Sequence, residues 1–164
     1  FLDQVHHETG ESCSLAILDG QEVIYIARTT SRRIMNVSLN IGSRLPSFCT
    51  SLGRALLAHL SPEELRDHLS KESYQPLTAN TLTTISELTK EINRVAEDGY
   101  ALVDQELEVG LRSLSVPVKN QLGSVIAAMN VGVSASRISN AHMRQIILPV
   151  LKNAAKLLSE EISL

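Results

Sequence analysis

The run Ser12-Cys-Ser-Leu-Ala-Ile-Leu-Asp-Gly-Gln-Glu-Val-Ile-Tyr-Ile-Ala-Arg28 reads as two strands around a tight turn. Cys13, Leu15 and Ile17 alternate with Ser12, Ser14 and Ala16, the period-2 pattern of a strand whose two faces meet different surroundings. Asp19-Gly20-Gln21 supplies the turn, with glycine free to take a positive φ between two β-rich runs. The return segment carries Val23, Ile24, Tyr25 and Ile26, residue types that suit a pleated surface. A hairpin of this kind commits the domain to antiparallel pairing, and the rest of the chain is read outward from it.

Upstream, Phe1, Leu2 and Val5 share one helical side, and Gly10 ends that helix. Downstream, residues 29–33 form a loop, and residues 34–39 alternate again, which predicts a third strand. Gly42, Ser43 and Pro46 then mark a turn, with Pro46 keeping Leu45 extended. Thr50 or Ser51 caps a helix that places Leu52, Ala55, Leu56 and Leu60 on one face. Its start leaves backbone N–H groups free, which suits a carboxylate or phosphate as well as an ordinary capped helix. Ser61-Pro62-Glu63-Glu64 opens the next helix with a capping box and runs to Leu69. Residues 72–84 are irregular. A second capping box, Thr84-Ile85-Ser86-Glu87, opens a helix that turns Leu88, Ile92 and Val95 inward and stops at Asp98-Gly99. Residues 100–103 form a short strand, and 104–110 an acidic irregular loop. Residues 111–118 and 124–133 form a second hairpin whose later strand is apolar on both faces and hence central. Ser139 caps a final helix with a stripe of Met143, Ile147, Val150, Leu151, Ala154 and Leu158, and Pro149 predicts a kink in it. The expected fold is α+β: an antiparallel sheet of about six strands with helices packed against it.

Composition narrows the function. The chain has 164 residues, 43% of them apolar, which is one domain with a real core. No apolar run nears the roughly 20 residues a membrane span needs. Phe1-Leu2-Asp3-Gln4 lacks a signal-peptide pattern, and from the missing initiator Met the expectation is an excised fragment with sequence upstream. Two cysteines, Cys13 and Cys49, fit a reducing cytoplasm. The net charge of −3 and 3% aromatics, with only Arg32-Arg33 as paired cations, argue against a nucleic-acid face here. His6-His7 and the isolated cysteines lack metal-ligand spacing, so neither metal nor cofactor is expected. There is no Gly-x-Ser-x-Gly elbow and no phosphate loop. Gly20, Gly42 and Gly53 read as turn signals. The run Asp104-Gln105-Glu106-Leu107-Glu108 is a solvated loop or a carboxylate pair, and a small hydrolase or isomerase using Asp104, Glu106 and Ser113 is the rival to a binding module.

Taken together, Gly42-Ser-Arg-Leu-Pro46, Thr50-Ser-Leu-Gly-Arg-Ala-Leu-Leu-Ala58, Gly99-Tyr-Ala-Leu-Val-Asp-Gln-Glu106, Gly110-Leu-Arg-Ser113 and Val116-Pro-Val118 resemble the effector-binding domain of IclR-type bacterial transcriptional regulators. Arg33-Ile-Met35, Pro46-x-Phe-Cys-Thr50 and Leu102-Val-Asp-Gln-Glu-Leu107 resemble in particular its Pca and Pob branch, which controls aromatic-acid catabolism. The resemblance implies a GAF-like sensor domain over residues 10–164, preceded by the end of a linker helix over 1–9. It also implies an N-terminal winged helix-turn-helix, absent from this chain, through which alone DNA is bound. Dimers or tetramers are implied, with no membrane partner and no enzymatic activity. A small organic or aromatic acid would lie beside the sheet, its carboxylate at the Ser51 and Leu52 amides. The apolar wall would be Ile34, Val37, Leu45 and Leu111. Polar contacts would come from Ser113, Asn130 and Gly132. Several relatives carry an acidic residue where this chain has Val103, which brings the neighbouring Asp104 into the expected set.

Overall fold

A computed structural model of the chain describes residues 1–31 and 39–162. In chain order its elements are α1 (Leu2–Thr9), β1 (Ser12–Asp19), β2 (Glu22–Thr29), β3 (Arg44–Pro46), α2 (Ser51–Leu57), α3 (Pro62–Ser70), α4 (Ile85–Asp98), β4 (Ala101–Asp104), β5 (Leu111–Lys119) and β6 (Val125–Ser134). A last helical stretch follows, from α5 (Asn140–His142) through a π-helical turn at Met143–Ile147 into α6 (Leu148–Glu161). The strands form one six-stranded sheet in the order β3-β2-β1-β6-β5-β4. Every pairing is antiparallel.

The alternation in β1 sorts the two faces. Cys13, Leu15 and Ile17 point to α1 and α6, where they join Val5, Met129, Val131, Met143, Ile147 and Leu151 in a continuous apolar core. Ala16 points the other way, to Leu52 and Ala55 of α2. β6 is central between β1 and β5, and its Met129 and Val131 serve one face while Ala128 serves the other. Thus the strand with two apolar sides is covered on both. A third cluster, with Phe48, Leu57, Leu69, Leu88 and Ile92, fastens α3 and α4 behind α2. Among the described residues no helix is long and apolar enough to cross a membrane.

Local chemistry explains the boundaries. Gly10 and Gly99 sit at left-handed φ of 71° and 74° and close α1 and α4. Both expected capping boxes form, Ser61 with Glu64 and Thr84 with Glu87. Three expectations change. Residues 34–38 of the expected third strand lie outside the described residues, Leu39 is not in a strand, and the strand that pairs with β2 is β3, ending at Pro46 on the sheet edge. Gly53 is no turn residue. It lies inside α2, where an added Cβ would sit 2.0 Å from the Ser47 carbonyl oxygen, so only glycine lets the helix seat against that backbone. The disturbance expected at Pro149 takes the form of the π-helical turn, in which the Leu148 N–H reaches back to the Met143 carbonyl.

Candidate ligand-binding site

Between the α2 side of the sheet and the start of α2 lies a half-enclosed hollow. Its atom-free space, open mouth included, is about 560 Å3. Its floor is set by strand register. Arg28, Ser14 and Asn130 stand abreast on β2, β1 and β6. Ser12, Gly132 and Ser113 form the next row on β1, β6 and β5, with Val103 of β4 beyond. The walls are mainly apolar: Tyr25, Leu39, Leu45, Leu107 and Leu111. Cys49, Thr50 and Ser51 bring the entry to α2 over the top.

Arg28 reaches this face because β2 is bulged. Leu15 pairs with Ala27, but Ala16 pairs with Tyr25, so Ile26 is one residue too many. The extra residue reverses the alternation. Tyr25 and Arg28, three apart and otherwise on opposite faces, both turn to the hollow, and the guanidinium lies 6.0 Å from the tyrosine ring centre.

The polar groups around the hollow are incompletely paired. Thr50 caps α2 by accepting from the Gly53 N–H at 3.2 Å and donating to the Pro46 carbonyl at 2.8 Å. No described group accepts from the Ser51 or Leu52 amides. The Ser51 hydroxyl, in a residue only 1% exposed, is buried without a partner. So are the Asn130 side-chain oxygen and the Arg28 Nε. Arg28 Nη1 donates to Ser14 Oγ at 3.1 Å. Among the described lining residues Arg28 is the only charged side chain. Burial pushes the Cys49 thiol up to about 12, so it stays neutral. Burial likewise pushes the Tyr25 phenol up to about 12, against the opposing pull of Arg28. Native structures rarely leave buried polar atoms unpaired, and three of them around one hollow call for a polar guest.

Of the expected residues, Leu45, Ser51, Leu111, Ser113, Asn130 and Gly132 surround this hollow. Ile34 and Val37 lie outside the described residues. The Leu52 side chain is fully buried against α2's own core cluster, leaving only its amide at the helix start. Asp104 does not line the hollow. Alternation along β4 gives Val103 to the hollow and Asp104 to the opposite face, where it accepts from Arg112 Nε and Nη2 at 3.0 Å and from Asn140. Burial works to raise the Asp104 carboxyl, but the Arg112 and Asn140 bonds outweigh it and hold it below the usual range.

Glu106 corrects a second expectation. It is not solvated: both its oxygens bind the guanidinium of Arg54, itself 1% exposed, which also donates from Nε to the Phe48 carbonyl at 2.9 Å. The surrounding loop is pinned by Thr78 to the Gln105 carbonyl and Thr81 to the Glu106 carbonyl, both at 2.6 Å, which holds Leu107 against the hollow. The three groups of the hydrolase rival are therefore dispersed. Ser113 faces the hollow, Asp104 the far side, and Glu106 an arginine. Among the described residues no cluster of three His, Cys, Asp or Glu side chains is gathered for a metal.

Sequence reasoning missed Arg28, Tyr25, Cys49 and Leu107. It also passed over Ser12 and Ser14, whose signal was available: small hydroxyls alternating on a strand face that is nonetheless buried.

The domain's likeness to known proteins follows the same outline. The family described as "Bacterial transcriptional regulator IclR C-terminal" matches residues 1–160. The Pca regulon regulatory protein of Pseudomonas putida is 38% identical over 157 residues, which cover 95% of this chain and 54% of that protein. The chain thus spans about half the length of such curated relatives. A crystal structure from Rhodococcus sp. RHA1, solved as a candidate transcriptional regulator, superposes with a TM-score of 0.95 at 40% identity, over 98% of this chain and 66% of that one. The inducer-binding domain of the PobR transcription factor from Acinetobacter, a double mutant in complex with 3-hydroxybenzoic acid, superposes at 0.89 and 30% identity, over 96% and 93%. By sequence and by fold, this chain belongs to the C-terminal domain family of IclR-type bacterial transcriptional regulators.

Proposed function

We propose that this domain senses a small organic acid of the aromatic-catabolite class and passes its occupancy to a DNA-binding domain elsewhere in a longer cytoplasmic regulator. In this reading residues 1–9 end the linker between the two, and the regulator works as a dimer or tetramer. The observation that carries the reading is the pair of buried, unpartnered groups, Ser51 Oγ and Asn130 Oδ1, on one ready-made hollow. A hollow that served packing alone would be apolar and dry, or its polar atoms would be paired. The 3-hydroxybenzoic acid held by the PobR domain supports this ligand class. The acid's carboxylate meets the Ser51 and Leu52 amides, and Leu45 and Leu111 flank its apolar body. Ser113, Asn130 and Gly132 line its far side. Occupancy changes DNA binding only as far as the acid prefers one conformation of the regulator over another.

Titration calorimetry and thermal shift of the purified domain with 4-hydroxybenzoate, protocatechuate and β-ketoadipate test this. Saturable binding of at least one acid is expected, with the acid recovered unchanged. Asn130→Ala should weaken it by roughly tenfold or more, the loss expected for a buried hydrogen bond. No binding at millimolar acid would overturn the reading, and a chemically altered acid would replace it with an enzymatic one.

A further inference from the structure

We infer that the cavity is built for an acid with two carboxylates, and that Arg28 holds the second one and so decides ligand specificity. The inference rests on the sensor reading above and goes beyond it.

Three features of Arg28 converge. The first is its charge. Arg54 and Arg112, the buried arginines among the described residues, are each neutralised by a carboxylate, Glu106 and Asp104 respectively. Arg28 is half-buried, and no described carboxylate approaches it. The second is its free edge. Nη1 is occupied by Ser14, Nε is buried without a partner, and no described group accepts from Nη2. What remains is the Nε–Nη2 edge, two parallel N–H donors with the spacing of a carboxylate's two oxygens. The third is its placement. The bulge at Ile26 costs β2 a ladder position and delivers this one side chain to the hollow. Among the described residues no group supplies the anion that would complete Arg28.

Ser51 belongs to α2, above the sheet, and Arg28 to β2 in its floor, so the two sets of unpaired donors lie on different walls of the hollow. A monocarboxylate can satisfy only one of them. A diacid whose apolar middle runs past Tyr25 and Leu45 satisfies both. The guanidinium stays charged at every accessible pH, so the preference is for a second full negative charge rather than for a neutral hydroxyl.

Matched pairs of acids test the inference: adipate against hexanoate, and terephthalate against benzoate, titrated calorimetrically into the purified domain. The diacid of at least one pair should bind about tenfold or more tighter than its partner, the scale of a charge-assisted bidentate contact. Arg28→Met should collapse that ratio to near one, chiefly by weakening the diacid. Arg28→Gln, which keeps a polar side chain of similar length, replaces it if the Met variant does not fold. Arg28→Lys keeps the charge without the fork and should retain part of the preference. Equal binding of mono- and diacid by the wild type would overturn the two-carboxylate inference alone. So would a ratio that survives Arg28→Met and Arg28→Gln. If no acid of either kind binds, the sensor reading falls with it.

Discussion

On the α6 side of the sheet, Val5, Leu114, Met129, Val131, Met143, Ile147 and Leu151 are each no more than 1% exposed, and they close into a dry apolar core. On the α2 side, the same strands present Ser12, Ser14, Ser113, Asn130 and Gly132 to a hollow with unpaired polar atoms. Since β1, β5 and β6 contribute to both faces, the difference owes nothing to backbone type. It comes from which parity of residues carries small polar side chains. One face is packed throughout, and the other, packed around α2, leaves unpaired groups at its hollow where a ligand can relieve them.

Two arginines draw the same contrast within the α2 half. Arg54 is sealed against Glu106 and fixes the loop that carries Leu107. Arg28 is left open. Glu106→Ala tests the sealed one and should have the largest effect. Stranding the buried guanidinium costs about 3–5 kcal/mol, seen as a large fall in the urea midpoint. Acid binding should go with it, since Leu107 loses its anchor. A variant with an unchanged midpoint would mean that the ion pair does not hold this wall.

Leu151→Ala probes the closed face. A cavity there costs about 2–5 kcal/mol, while acid affinity stays within about threefold, because the sheet separates the two sides. An affinity loss of the size seen for Asn130→Ala would show that the faces are coupled. Asn130→Leu runs the contrast backwards by giving the α2 face the chemistry of the other. Relief of an unpaired buried oxygen should raise stability by about 1 kcal/mol, with acid binding abolished. Destabilisation would show that Asn130 already has a partner in the free domain.

The smallest effect is a pH dependence from His68. Burial, aided by Lys71, lowers its pKa from the ordinary value near 6.5. The folded state therefore favours the neutral ring. Its contribution to stability is whole above pH 6.5 and is lost as pH falls through the lowered value. His59, also lowered by burial and by Lys119, acts in the same direction. Melting temperature should decline between pH 7.5 and 5, and His68→Gln should make that decline shallower. A parallel decline would assign the effect elsewhere.

Much of this was legible in the chain itself. Serine and threonine caps with glutamate three residues on, glycines at helix ends, and the alternation of β1 are local signals, and each produced the element expected. So was half of the hollow, because Leu45, Ser51, Ser113 and Asn130 lie in strongly patterned segments. What failed was whatever depends on distant chain. Gly53 looks like punctuation until Ser47 is seen pressed against it. Glu106 looks solvated until Arg54, 52 residues away, arrives beside it. Asp104 was placed by its neighbour, yet one step along a strand changes the face.

Ile26 makes the facing of Arg28 a matter of counting rather than of residue type. Tyr25 and Arg28 share the hollow across three residues only because Ile26 is left out of the ladder. Deleting Ile26 would leave the pairs Ala16–Tyr25, Leu15–Ala27 and Ser14–Arg28 standing as plain alternation, so the guanidinium would keep its side. Ironing out the bulge with the residue kept would instead turn Arg28 away from Tyr25's face. The charge of the cavity therefore tolerates a shorter strand but not a straightened one.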